Sequence, residues 1–139
     1  MTAYVLDASV TMAWCFNNEA TSASDALLEQ LEGEAALVPM SWHLEVADVL
    51  AMSERRRRIT PARSAQFIEM LRGLEIVFDE ETPARAWAEI LDLARTEWLT
   101  AYDAAYLELA MRLGLPLATK DRELGQVAER LGVEVLWAT

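Results

Sequence analysis

Short apolar runs alternate along this chain with longer stretches in which apolar residues recur at helical spacing. Ala3 to Leu6 is too short for a helix and fits a buried strand, whereas Val10, Met12, Ala13, Trp14 and Phe16 mark a helix from Ser9 to Phe16. A second helix is predicted from about Ala20 to Leu31, ending near Gly33 before a strand from Ala36 to Val38 that Pro39 stops. Ser41 can cap a helix reaching about Arg57, with Leu44, Val46, Ala47, Val49, Leu50 and Met52 as its buried side. Thr60-Pro61 pairs an N-cap with proline at the first helical position and opens a helix that ends near Gly73. The same pair recurs at Thr82-Pro83, after a strand from Glu75 to Phe78, and opens a helix through Leu93. Beyond it the pattern gives a helix from about Ala101 to Leu113, a strand from Leu117 to Thr119, a helix from Asp121 to Leu131 closed by Gly132, and a last strand from Val133 to Trp137. Strands separated by helical segments imply parallel βαβ units.

Four acidic residues fall where an apolar run gives way to a helix or shortly inside one: Asp7, Glu45, Asp103 and Asp121. Parallel strands end on one shared edge, and open α/β folds bind their ligands there. A helix of about 12 residues after Asp103 descends roughly 18 Å, and a strand of about four residues climbs back roughly 13 Å, so Asp121 returns near Asp103. Carboxylates gathered in one pocket raise one another's pKa or require a counter-cation, which predicts a hard divalent metal. Each acid except Glu45 also has a local alternative. Asp7 can cap the first helix, Asp103 stands at capping-box spacing from Thr100, and Asp121 favours the positive end of a helix dipole. Glu45 lies between Leu44 and Val46 in the second turn of an apolar helix, where capping does not explain it.

With 139 residues and neither a linker nor a repeat, residues 1–139 are expected to form one domain with a real core. No basic leader precedes an apolar segment, and no apolar run approaches the roughly 18 residues of a membrane span, so a soluble cytoplasmic protein is expected. Cys15 is the only cysteine and His43 the only histidine. An internal disulfide, a thiolate zinc site and a Ser-His-Asp or Cys-His arrangement are thereby excluded or starved of partners. The net charge of −11 opposes non-specific attraction to polyanions, so such a substrate must be held locally by a metal and a few cations, and the same charge suits a basic partner segment. Lys120 and Arg122 flank Asp121 and are better placed to touch a substrate phosphate, whereas Arg55 to Arg58 fit a solvated helix end, with a phosphate contact by one or two of them and Arg63 left open.

The phrases Val5-Leu6-Asp7-Ala8-Ser9, Glu45-Val46-Ala47-Asp48-Val49-Leu50, Leu99-Thr100-Ala101-Tyr102-Asp103-Ala104-Ala105-Tyr106 and Leu117-Ala118-Thr119-Lys120-Asp121-Arg122-Glu123-Leu124 resemble, in order, the motifs of the PIN-domain family. The likeness is greatest to its VapC-like branch of toxin ribonucleases. The resemblance implies an α/β fold, a three-layer α/β/α sandwich with a short parallel sheet, and an Mg²⁺- or Mn²⁺-dependent endoribonuclease acting on RNA. It also implies a cognate VapB-like antitoxin and a homodimer. Carried over by residue, the metal ligands are Asp7, Glu45, Asp103 and Asp121, supported by hydrogen bonds from Ser9 and Thr119. Asp48 departs from the asparagine common among relatives. An antitoxin helix is expected in a groove where Trp14, Phe16 and Trp42 offer apolar area. Two other functions are weighed. A haloacid dehalogenase-like phosphatase shares a strand ending in aspartate, but Ser9 stands where its second aspartate belongs. The other is a PIN-like scaffold that binds without cutting.

Overall fold

The computed structural model describes residues 1–139. Its elements follow the order β1 (Thr2–Leu6), α1 (Ala8–Cys15), α2 (Ser22–Gln30), β2 (Ala35–Pro39), α3 (Trp42–Arg55), α4 (Pro61–Arg72), β3 (Ile76–Asp79), α5 (Thr82–Arg85), a π-helical turn (Ala86–Ile90), α6 (Leu91–Glu97), α7 (Ala101–Leu113), β4 (Leu117–Thr119), α8 (Arg122–Arg130) and β5 (Val135–Trp137). All five strands are parallel, in the order β3-β2-β1-β4-β5. The chain therefore winds outward from β1 to β3, crosses back, and continues on the other side of β1. Right-handed crossovers in opposite directions place helices on opposite faces. Accordingly α1 packs with α2 and α3, while α7 packs with α6 and α8, and the sheet lies between the two groups. The strand order reverses between β1 and β4, so a crevice opens at their C-terminal ends.

As the central strand, β1 is covered on both faces, which is why it reads as a continuous apolar run. Tyr4, Val5 and Leu6 are fully buried, and the Tyr4 hydroxyl donates to the Leu27 carbonyl at 2.6 Å. From them one apolar cluster extends through Val38, Phe67, Leu107, Leu109, Leu117 and Leu124. No helix is long and apolar enough to cross a membrane.

Several expected boundaries shift for identifiable reasons. Pro39 does not stop β2 early but forms its last rung opposite Asp79, an end position where a missing N–H is tolerated. Ser41 precedes α3 without capping it: its backbone is already helical, and its hydroxyl is buried with no partner. Thr82 is likewise inside α5; its hydroxyl donates to the Asp79 carbonyl at 2.9 Å and accepts from the Met40 N–H at 3.2 Å. The helix begun there passes through the π turn and reaches Glu97, where Trp98 takes a left-handed φ of 58°. Thr60 and Thr100 cap their helices as the pattern expects. Thr21 and Ser24 form a capping box on α2 that the hydrophobic pattern alone does not mark.

Candidate active site

Asp7 stands at the N-cap position of α1 yet makes no capping bond. The residue is only 5% exposed. Ser9 Oγ donates to Asp7 Oδ2 at 2.6 Å and Thr119 Oγ1 donates to the same oxygen at 2.7 Å. Both hydroxyls are themselves fixed from the loop after β4, because the Lys120 N–H donates to Ser9 and the Asp121 N–H donates to Thr119, each at 3.0 Å. Asp7 is thus held in one orientation by two relays, and its Oδ1 receives neither bond.

The local alternatives separate cleanly at the other acids. Thr100 accepts from the Asp103 N–H at 3.1 Å, but the reciprocal bond that would complete a capping box is missing, so the Asp103 carboxylate is free of its helix. Asp121 does cap: its Oδ1 accepts from the Leu124 N–H at 3.2 Å. Glu45 receives the Tyr106 hydroxyl on Oε1 at 2.8 Å, a bond that links the helical layers from α7 to α3.

Burial pushes the Asp7 carboxyl above its ordinary range, partly offset by the Ser9 and Thr119 bonds, and the charge of Asp121 adds to the rise. Glu45 is pushed up to about 7, mainly by burial, with the Tyr106 bond opposing and the charges of Asp7 and Asp103 reinforcing. Asp103 reaches about 6, again mainly through burial, with Asp7, Asp121 and Glu123 adding repulsion. The four expected acids therefore share one electrostatic field. None of them belongs to an ion pair, while Arg85 and Arg112 are engaged with Asp79, Glu81, Glu89 and Glu108.

Hard oxygen donors with no protein cation among them suit Mg²⁺ or Mn²⁺ in chemistry and charge. As they stand, no three acidic, histidine or cysteine side chains are gathered tightly enough to grip one ion. An Mg²⁺ ion at such a site would keep several waters and need direct contact with only one or two carboxylates.

Lys120 and Arg122 differ sharply. The Lys120 amine donates to the Glu19 carbonyl at 2.6 Å and so tethers the chain after α1, whereas Arg122 is exposed and forms no ion pair. Two contributors escape the sequence pattern. Tyr106 reads as another apolar helix residue, although a buried phenol needs a partner and it sits one turn from Asp103; Glu123 reads as an ordinary first-turn acid.

The aromatic groove expected from Trp14, Phe16 and Trp42 is filled. Trp42 is buried and donates to Thr11 Oγ1 at 3.0 Å, Trp14 donates to the Ser24 carbonyl at 2.8 Å, and Phe16 is buried beneath Arg58. An apolar cleft of about 350 Å³ lies instead between α3 and α4, lined by Val46, Leu50, Ile68, Leu71 and one edge of Trp42.

No curated protein matches the sequence at a significant level. The fold is similar to the crystal structure of PAE2754 from Pyrobaculum aerophilum, with 26% identity and a TM-score of 0.73 over 98% of this chain and 92% of that one. FitAcB from Neisseria gonorrhoeae is similar in fold at 20% identity and a TM-score of 0.62, over 97% of this chain and 96% of that chain. The family model of the PIN domain matches residues 4–130, a span that contains all four acids and both supporting hydroxyls. The chain therefore belongs to the PIN domain family, whose members are generally nucleases.

Proposed function

We propose that this protein is a VapC-like endoribonuclease that hydrolyses RNA phosphodiester bonds with Mg²⁺ or Mn²⁺, and that it is the toxin of a type II toxin–antitoxin pair. The observation that carries this reading is the buried, cation-free Asp7 sharing one field with Glu45, Asp103 and Asp121. These four carboxylates would hold the metal, one or two of them directly and the others through its waters, and when bound it supplies a nucleophilic water near neutral pH and stabilises charge on the phosphate and leaving oxygen. Ser9 and Thr119 lock the rotamer of Asp7, and Tyr106 orients Glu45 from the opposite layer. Arg122, exposed beside Asp121 and outside any ion pair, is a free cation for an RNA phosphate.

A partner of VapB type would lay an amphipathic helix in the apolar cleft between α3 and α4. Ala47 borders both that cleft and the space in front of Glu45, so an arginine on the partner would reach the carboxylates and compete with metal. Trp87 and Trp98 are 92% and 89% exposed, and they supply the apolar surface for a homodimer. The working compartment is the cytoplasm.

The test is cleavage of total RNA by the purified chain with Mg²⁺ or Mn²⁺, against an EDTA control. Asp7→Asn and Asp103→Asn should each slow cleavage on the order of 100-fold or more with the fold intact. Phosphate release from small phosphomonoesters without RNA cleavage would return the phosphatase. Metal-independent RNA binding without cleavage would return the scaffold.

A further inference from the structure

Glu45 and Asp103 border a cleft of about 710 Å³ whose remaining lining has no part in holding a metal. Leu44, Asp48, Thr100 and Tyr102 line it together with Glu45 and Asp103. Its size falls within the roughly 300–1,000 Å³ of sites that take small ligands. The lining has a simple origin: α3 and α7 each bring one carboxylate to the crevice, and the residue preceding each of them, Leu44 and Tyr102, is left facing water. Leu44 is 75% exposed and Tyr102 is 59% exposed, and the Tyr102 hydroxyl bonds to no other group of the chain. An apolar side chain and an aromatic ring therefore flank the approach to Glu45 and Asp103.

Charge selects what can enter. A phosphate moving into this cleft would meet Asp48, Glu45 and Asp103 without a facing protein cation, so the phosphate belongs at the metal. The base is the neutral part of a nucleotide, and it gains from an aromatic face. A carboxylate accepts hydrogen bonds only, so Asp48 matches the exocyclic amine carried by adenine, cytosine and guanine; uracil has no such amine, and its one ring N–H on that edge lies between two carbonyl oxygens that repel a carboxylate. The face of a base is free for stacking when the strand is single or the base is splayed out of a helix.

Resting on the nuclease reading above, we propose that this cleft is a nucleobase subsite. In it Tyr102 and Leu44 bracket the base of a single-stranded nucleotide next to the scissile phosphate, and Asp48 accepts from its exocyclic amine. Tyr102 is then a binding residue for substrate, and the preference for an amine-bearing base is set one helical turn from Glu45, at Asp48.

The experiment uses the full chain and a short oligoribonucleotide cut at one position, together with copies carrying a single abasic site or a uracil beside that position. Tyr102→Ala should raise KM roughly 10-fold while leaving kcat nearly unchanged, and Tyr102→Trp should restore binding. The abasic copy should raise KM for the unaltered protein but not further for Tyr102→Ala, because the two changes remove one interaction. Asp48→Asn should narrow the discrimination against uracil, since its amide can also donate. Leu44→Ala provides a second exposed-site variant, and circular dichroism melts confirm that each variant folds. Absence of any RNA cleavage by the unaltered protein sinks the nuclease reading itself. Normal cleavage with an unchanged KM in Tyr102→Ala, and additive effects of the abasic site, overturns the subsite alone. Loss of self-association in Tyr102→Ala with unchanged KM assigns the surface to a second copy of the chain and likewise overturns it.

Discussion

Thr119, the last residue of β4, donates its hydroxyl to Asp7 at 2.7 Å, joining by side chains the two strands between which the strand order reverses. Thr119→Val keeps the shape, removes the donor, and leaves the Asp121 N–H without its acceptor. The variant should lose about 1–3 kcal/mol of stability, the usual cost of unsatisfied buried polar groups. Asp7 should also bind protons more tightly, because one bond to its charged form is gone. Denaturant melts and Mn²⁺ titrations across pH check both effects, with metal binding displaced to higher pH. Thr119→Ser should preserve the Asp7 bond and show a smaller loss.

The acidic site gives the metal-free protein an unusual pH dependence. Glu45 rises from 4.5 to about 7 and Asp103 from 3.8 to about 6 in the folded chain. A carboxyl with a raised folded pKa holds its proton in the native state after the unfolded chain has released it. Its stabilising contribution is therefore fully present below the unfolded pKa and is lost as pH rises through about 6 and then about 7. In EDTA the melting temperature should fall between about pH 4 and about pH 7. Mn²⁺ should restore it at the upper pH and do little at the lower one, where protons occupy the carboxylates. A metal-free melting temperature that climbs over this window would contradict the arrangement.

Gly125 lies in α8 directly under the Trp137 ring, so close that an added Cβ would overlap the ring carbons. Alanine normally favours a helix over glycine by about 1 kcal/mol. Here overpacking, typically about 1–3 kcal/mol, should win, and Gly125→Ala should be destabilised. Replacing Trp137 with leucine in the same chain should recover part of the loss, which urea denaturation of the single and double variants would reveal. A more stable Gly125→Ala single variant would show that Trp137 yields freely.

The alternation of strand and helix was legible because β1, β2 and β4 are largely buried and therefore mostly apolar, as at Tyr4-Val5-Leu6. Caps were less legible, since side-chain chemistry marks a position without fixing its backbone: Thr100 caps, whereas Ser41 has a helical backbone and does not. The same ambiguity hid the difference between Asp103, whose carboxylate is free, and Asp121, which caps α8. Tyr106 was invisible for another reason. Its bond to Glu45 spans 61 positions and two layers, and only the assembled sheet brings them together. Lys120 could not be judged from its place beside Asp121, because its side chain is drawn back to Glu19 by a long-range bond.

Much of the positive charge in this chain is internally neutralised. Arg58, Arg72, Arg85, Arg95, Arg112 and Arg130 all face carboxylates, leaving half of the twelve basic side chains outside ion pairs against a net charge of −11. A distant RNA molecule thus meets repulsion rather than attraction. Monovalent salt shortens the reach of that repulsion from about 30 Å at 0.01 M to about 10 Å at 0.1 M. Basic nucleic-acid-binding proteins lose affinity as salt rises. For this chain the first encounter with RNA should quicken over the same range, its barrier lowered by the surrounding ionic atmosphere.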